Sequence, residues 1–487
     1  MTAPGEVGII GIDLGTSSAK VLIIDGRGKT LGAGRADYAV LTPQPGWAES
    51  DPAAWRQAVV SAVRAAMAQA GQPTIAGIGL SGQMHGVVLA DDQGRALRPA
   101  LLWPDSRAGA ELEGYRALPE DALQRLANPL APGMAGPLLC WLARHEAQIY
   151  HAARRALQPK DWLRMCLTGA AAGAATDPSD ASATLLYDLP ADGWADDVIA
   201  ALGLRRDLFP PILPSGASAG TLSTTAAGAL GLPVGLPIAT GAADTAAAAL
   251  GAGLLSPGPI QLTLGTGAQL IQICAEPLID ATLRTHLYRA ADGVNWFRMA
   301  AVQNAGLALD WVRRVLAATW DELYASAGNE MLAPGADGLL FLPYLTPERF
   351  VHDQHGGAFL GLRIDHGREH LLRAALEGVA FGIRTALEML PGASAVNTLR
   401  LVGGGSAHPA WRQLLADVLG RELLVVDASD ASARGAVLLG GIAAGVWADT
   451  AATAALAPGV SAVVTPDAGR ARLYDEVYGL WGHDISL

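Results

Sequence analysis

The sequence predicts an α/β chain built from two halves of similar design. Three observations carry this. Apolar strand-like runs alternate with helix-like segments in both halves. The early segment DLGTSSAKVLII returns later as TLGTGAQLIQIC, sharing the order strand, Leu-Gly-Thr, small residues, strand. A region rich in Gly and Pro near residue 250 separates residues 1–250 from 251–487. At 487 residues the chain is too long for one core of ordinary size, since domains run to roughly 150 residues each.

The elements follow in order. Val7 to Leu14 is an apolar run that ends in Gly15-Thr16-Ser17-Ser18, and Ala19 to Ile24 is a second. Asp25-Gly26-Arg27-Gly28 between strands reads as a hairpin turn, because Gly supplies positive φ at no steric cost. Asp51-Pro52 opens an amphipathic helix to about Ala70, with Asp as cap and Pro at the first helical position. Ile75 to Leu80 is a buried strand running into Ser81-Gly82-Gln83-Met84-His85-Gly86. Leu236 to Thr240, Ile260 to Leu264, Leu270 to Cys274, Leu399 to Val402 and Leu423 to Val426 read as further strands. Helices are expected from Asn304, from about His408 to Leu419, and from about Ala431.

Composition excludes several classes. Hydrophobic residues are 51% and charged residues 16%, so large cores form and disorder is excluded. Lys and Arg number 34 against 46 Asp and Glu, a net charge of −12. That balance argues against holding nucleic acid by phosphate neutralisation. Pro and Gly break both long uncharged stretches, Leu208 to Ala243 and Thr245 to Ala275, so no membrane span is expected. Cys140, Cys166 and Cys274 lie far apart without a CxxC spacing, which fits a reducing cytosol rather than a disulfide or zinc framework. Met1 to Pro4 has no basic character, so no secretory signal is expected.

The chemistry concentrates in the turns. Gly15, Thr16 and Ser17 in one half, and Gly265, Thr266 and Gly267 in the other, let backbone N–H groups approach a phosphate closely. Asp13, at the end of the first strand, is placed to hold Mg²⁺ beside such phosphates, and Lys20 on the return strand adds one positive charge. Gly403-Gly404-Gly405 between a strand and a helix suits close backbone approach to a base or phosphate. There is no GxxxxGK[ST] motif and no GxGxxG after a strand, which disfavours P-loop and Rossmann readings. Asp244 is the only charge between Leu208 and Ala275, and at a helix start it is a cap, an active-site base, or both.

Taken together, these residues resemble the FGGY carbohydrate kinases, and within them the xylulose kinases, over almost the whole chain. Gly11-Ile12-Asp13-Leu14-Gly15-Thr16-Ser17 is similar to the family's first phosphate motif, Leu262 to Gly267 to its second, and Leu401 to Ser406 to its adenosine motif. Gly357 to Leu362 followed by His370 to Glu377 is similar to a family signature, and Ser81 to Gly86 to the xylulose kinase sugar loop. Trp103-Pro104-Asp105-Ser106-Arg107 and Glu348-Arg349…His352 match further segments near the sugar. The resemblance implies two ribonuclease-H-like domains of the actin and hexokinase type around a deep cleft. It implies transfer of the ATP γ-phosphoryl group to the 5-hydroxyl of D-xylulose. Asp244 is then the general base, and Asp13 and Asp244 face Mg²⁺. Gln83, Met84, His85, Trp103 and Asp105 contact sugar. Gly15, Thr16, Ser17, Lys20, Gly265, Thr266, Gly267, Asn304, Gly404 and Gly405 contact ATP. The implied partners are the sugar and MgATP, with no nucleic acid or membrane and a homodimer left open.

Departures from the family pattern bear on the site. Ala242 and Ala243 stand where glycines are common, and the two extra methyl groups are expected to narrow the γ-phosphate approach or to shift the backbone. Gly267 stands where serine is usual, Leu138 at a usual lysine, and Phe350 at a common threonine. The alternatives are a kinase of the same fold for another ketose or polyol such as ribulose, and an actin-like ATPase without a sugar substrate.

Overall fold

The computed structural model describes residues 7–169, 174–329, 331–346, 348 and 356–485, with side chains to residue 482. Arg349, Phe350 and His352, singled out from the sequence, lie outside the described residues. Strands β1 (Val7–Leu14), β2 (Ser18–Asp25) and β3 (Thr30–Asp37) form a meander. Helix α1 (Pro52–Gln69) follows, capped by Asp51, whose side chain accepts from the Ala53 N–H at 2.9 Å. Strand β4 (Thr74–Gly82) then enters parallel to β1. It is longer than the sequence suggests, because Ser81 and Gly82 continue the ladder beside Asp13 and Leu14.

The first sheet is completed by β5 (Ser218–Thr221), β6 (Pro237–Ala239) and β7 (Ala242–Ala243). Its order is β5-β6-β4-β1-β2-β3, and β7 also pairs with β4. Among the helices before β5 are α2 (Pro159–Thr168) and α3 (Pro178–Ser182), and after β7 comes α4 (Asp244–Gly251).

The second sheet repeats the plan. Strands β8 (Ile260–Leu264), β9 (Ala268–Cys274), β10 (His286–Arg289) and β11 (Trp296–Val302) are antiparallel neighbours. Helices α5 (Gly306–Val315) and α6 (Arg368–Met389) lead to β12 (Thr398–Val402), α7 (Pro409–Leu419), β13 (Glu422–Val426) and α8 (Ala431–Ala443). Strand β14 (Val460–Val464) and helix α9 (Ala468–Ile485) end the chain. The order is β10-β11-β9-β8-β12-β13-β14, with β8, β12 and β13 parallel. The hairpin pairs β1–β2 and β8–β9 occupy equivalent places in the two sheets. The helix expected from Asn304 starts two residues later, because the Asn304 side chain is tied to the loop at Thr346.

The two halves exchange helices. Ala433 and Val437 of α8, from the second half, pack with Ile9, Leu22 and Ile24 of the first sheet. Ala246, Ala249 and Leu250 of α4, from the first half, pack with Ile273 and Phe297 of the second. Glycines permit the approach. A Cβ on Gly79 would lie 1.7 Å from the Ala436 carbonyl of α8, and one on Gly435 would lie 1.9 Å from the Ala247 carbonyl of α4. Backbone therefore meets backbone where the halves join. No described helix is long and apolar enough to cross a membrane.

Candidate active site

In parallel sheets, ligands bind beyond the carboxyl ends of the strands, and here the chemistry collects at that edge. In the first sheet Asp13 is the last residue but one of β1, and its register partner on β4 is Ser81, whose hydroxyl donates to Asp13 Oδ1 at 2.7 Å. Ser81 in turn pairs with Ala242, and Gly82 with Ala243, so β7 delivers Asp244 to the same edge. The positive φ of Gly241, +85°, makes the bend into β7. Asp244 is the first residue of α4, and Ala243 occupies the capping position. Asp244 is therefore not the helix cap. Its Oδ1 accepts from its neighbour Thr245, from the N–H at 2.6 Å and the hydroxyl at 3.2 Å.

Both carboxylates are half-buried. Burial pushes the Asp244 carboxyl up to about 7, the Asp13 charge adds to that, and the Thr245 hydrogen bonds oppose it. Burial also raises Asp13, against the Ser81 hydroxyl and the Lys20 ammonium. Mutual repulsion between two desolvated carboxylates suits a site that holds a divalent cation or takes up a proton near neutrality. Among the described residues no group of three His, Cys, Asp or Glu side chains forms a metal cage. The donor set fits a Mg²⁺ that draws its remaining ligands from phosphate oxygens and water.

The first Leu-Gly-Thr turn is tied down on all sides. The Gly15 N–H donates to the Ser18 carbonyl at 3.0 Å, and the Tyr38 hydroxyl donates to the Gly15 carbonyl at 2.5 Å. Trp103, 41% exposed, donates from Nε1 to the Thr16 hydroxyl at 3.0 Å, which brings the two expected segments together. Lys20 pairs with Asp430 at 2.9 Å, and the Ser432 hydroxyl donates to the Asp244 carbonyl at 3.2 Å. Asp430 occupies the capping position of α8 after β13 and Ser432 lies in its first turn, so the carboxyl edges of the two sheets converge at Asp13 and Asp244.

The sugar loop leaves β4 at Gly82. Gln83 is 1% exposed, and both ends of its side-chain amide lack a hydrogen-bond partner among the described residues. Buried amides without partners are rare and point to a ligand or water. Met84 is buried among Ala183, Ala242 and Ala243. Ala242 and Ala243, which stand where glycines are common, are fully buried with their methyl groups in that cluster. His85 has a positive φ of 70°, a strained conformation for a residue with a Cβ. Its Nδ1 lies 2.7 Å from the Ala183 carbonyl, and its ring packs 6.2 Å from Tyr288 of the second half.

Asp105 is a brace. It is 1% exposed, takes the Ala48 N–H on Oδ2 at 2.7 Å, and takes the Arg107 N–H and Nε on Oδ1, each at 2.9 Å. Asn304 likewise spends its amide on Thr346 and Glu348, through the Thr346 carbonyl at 2.8 Å, the Thr346 N–H at 2.9 Å and Glu348 at 3.1 Å. In the second phosphate turn, the Gly265 N–H donates to the Gly267 carbonyl at 2.8 Å. A Cβ at Gly267 would lie 2.8 Å from the Val302 carbonyl, so glycine fits this chain where a serine would crowd it. Gly404 has nothing within 4 Å of where its Cβ would be, while Gly403 and Gly405 press against Leu264. The glycine run thus lies against the end of β8 with one position open.

Sequence reasoning missed the layer beneath this edge. Lys160, Asp161, Arg164, Asp177 and Asp180 are fully buried together. Lys160 Nζ lies 2.6 Å from Asp161, 2.9 Å from Asp177 and 2.9 Å from Asp180. The pairs Pro159-Lys160 and Asp177-Pro178 both mark helix starts, and the second, with Asp as cap, was a readable signal.

Comparison with known proteins decides the family. The model of the FGGY family of carbohydrate kinases, N-terminal domain, matches residues 8–251, and that of its C-terminal domain matches residues 260–444. The chain belongs to the FGGY family of carbohydrate kinases. A xylulose kinase of Escherichia coli (strain K12) is 34% identical over 89% of this FGGY chain and 90% of its own. A gluconokinase of Bacillus licheniformis is 28% identical over 90% of this chain and 88% of its own. The crystal structure of a xyloylose kinase from Brucella ovis superposes with a TM-score of 0.89 at 35% identity, covering 98% of both chains. The fold is therefore the two-domain ribonuclease-H-like fold of FGGY sugar kinases, and the chain is a sugar kinase.

Proposed function

We propose that this FGGY kinase transfers the γ-phosphoryl group of ATP to the 5-hydroxyl of D-xylulose, giving D-xylulose 5-phosphate and ADP. The observation that carries the reading is the pair Asp13 and Asp244 at one strand edge, beside a sugar loop whose buried Gln83 amide has no partner among the described residues. Asp244 is the general base. With its carboxyl pushed up to about 7 it accepts a hydroxyl proton near neutral pH and releases it afterwards. Asp13, with Asp244 beside it, would hold Mg²⁺. When bound, that ion neutralises phosphate charge that builds as the bond to the leaving ADP breaks.

The remaining residues bind and orient. Backbone N–H groups of Gly15, Thr16, Ser17, Gly265, Thr266 and Gly267 receive phosphate oxygens, with Lys20 nearby. Gly404 and Gly405 admit the adenosine. Gln83 hydrogen-bonds a sugar hydroxyl, His85 lies close by, and Met84 backs the loop. Residues 1–250 supply the sugar side and residues 251–487 the nucleotide side, working on cytoplasmic metabolites. The Escherichia coli relative supports xylulose, while the Bacillus licheniformis gluconokinase favours a second reading, another sugar on the same machinery. Coupled ADP detection across pentuloses, hexuloses, polyols and gluconate tests the choice. D-Xylulose is expected to give the highest kcat/KM, and a best substrate of another configuration overturns the assignment.

A further inference from the structure

The segment that carries Asp244 has little of its own to hold it. Strand β7 is two residues long, and α4 has no side-chain cap. A short strand feeding an uncapped helix leaves its N–H groups and its direction underdetermined. A base nonetheless needs placement within about 0.5 Å of its productive position.

Besides the Ser432 bond to the Asp244 carbonyl, a contact from outside the sheet holds the strand just before the base. The Ser179 hydroxyl accepts the N–H of Ala243, the residue before Asp244, at 2.9 Å. Its proton goes to Asp177 Oδ2 at 2.5 Å, so the orientation of the hydroxyl is fixed. Asp177 is itself immobilised. It accepts the Ser179 N–H at 3.0 Å and the Ser215 hydroxyl at 2.8 Å, and Lys160 Nζ lies 2.9 Å from its other oxygen. Lys160 also backs the strand on the other flank, because a Cβ on Gly82, the register partner of Ala243, would lie 3.0 Å from Lys160 Cβ. Ser179, Asp177 and Lys160 are each fully buried.

We infer that Ser179 is a positioning residue for catalysis: with Asp177 and Lys160 behind it, it clamps the Ala243 N–H and so aims the Asp244 carboxylate. The inference rests on the reading of Asp244 as base. The buried ion cluster is then an anchor for the base-bearing segment, in addition to any role in the core.

Two substitutions separate positioning from mere stability. Ser179→Ala and Ser215→Ala each remove one buried hydroxyl from Asp177 Oδ2, but only Ser179→Ala frees the Ala243 N–H. Sugar-dependent ADP release is measured for both and for Ser179→Cys, with amide hydrogen exchange at Ala243. The expected result for Ser179→Ala is a kcat fall of about 10–100-fold, KM for MgATP within about twofold, and faster Ala243 exchange. Ser215→Ala is expected to keep kcat within about threefold and to leave Ala243 exchange unchanged, and Ser179→Cys, a weaker acceptor, to fall between. Equal losses of kcat in the two alanine variants, or unchanged exchange in Ser179→Ala, overturn the inference. If Ser179→Ala does not fold, a Ser179→Cys variant as active as wild type overturns it too. A wild-type chain that phosphorylates no sugar counts against the kinase reading instead, and the exchange measurement still decides the clamp.

Discussion

Replacing Asp244 by Asn should make the protein more stable at alkaline pH while disabling it. The Asp244 carboxyl stands at about 7 in the folded chain against an ordinary value of 3.8. The folded state therefore holds a proton that the unfolded state has already released between about pH 4 and pH 7. Stability from this residue is complete below about pH 4, declines as pH rises, and is fully lost above about 7. A difference of about three pH units corresponds to a ceiling of about 4 kcal/mol. Partial exposure of the carboxylate brings the expected gain for Asn to about 1–3 kcal/mol at pH 8. Asn keeps a carbonyl oxygen to accept the Thr245 N–H, so the local geometry survives. Urea denaturation of wild type and Asp244→Asn at pH 8, 6.5 and 5 reads the difference directly. The gain should shrink steadily toward pH 5. An Asn variant that is less stable at pH 8, or a gain that does not change with pH, would show that Asp244 is not a strained carboxylate.

Three further outcomes follow from the geometry. Lys160→Met removes the ammonium that Asp161, Asp177 and Asp180 share and leaves Arg164 paired with Asp161, so it should cost about 3–5 kcal/mol in denaturant unfolding. Gly79→Ala drives a methyl group into α8, and calorimetry should show a loss of about 3 kcal/mol as that helix is pushed off the first sheet. Gly404→Ala meets open space, so it should unfold within about 0.5 kcal/mol of wild type. It should nonetheless raise KM for ATP, as steady-state kinetics will register.

Much of the fold was legible because its signals are local. Asp51-Pro52 announced α1 through cap chemistry, and the alternation of apolar runs marked β1, β2 and β8 within a residue or two. The repeated Leu-Gly-Thr turn marked equivalent hairpins in both sheets. The exchange of α4 and α8 was not legible, because both are Ala- and Gly-rich helices whose sequences say they are buried but not against which sheet. At the site, Asp13 and Asp244 stood out as charges in apolar surroundings. Asp105 and Asn304 stood out as ligand contacts by motif, and their hydrogen bonds to Arg107 and Thr346 were not legible. Lys160, Asp177 and Ser179 escaped notice because Lys160 and Asp161 of α2 meet Asp177 and Asp180 at the start of α3 only when the two helices pack, and no single spacing reveals it.

The central claim is that Asp244 removes the proton from the sugar hydroxyl as phosphate is transferred. The most direct measurement is the single-turnover rate of phosphoryl transfer to D-xylulose by wild type and Asp244→Asn across pH 5.5 to 9. The account predicts a wild-type rate that falls about tenfold per unit below a break near pH 7, and an Asn variant slower by about 10²–10⁴ with no such break. An Asn variant that transfers phosphate at close to the wild-type rate, or a wild-type break at an ordinary carboxylate pH, would contradict it.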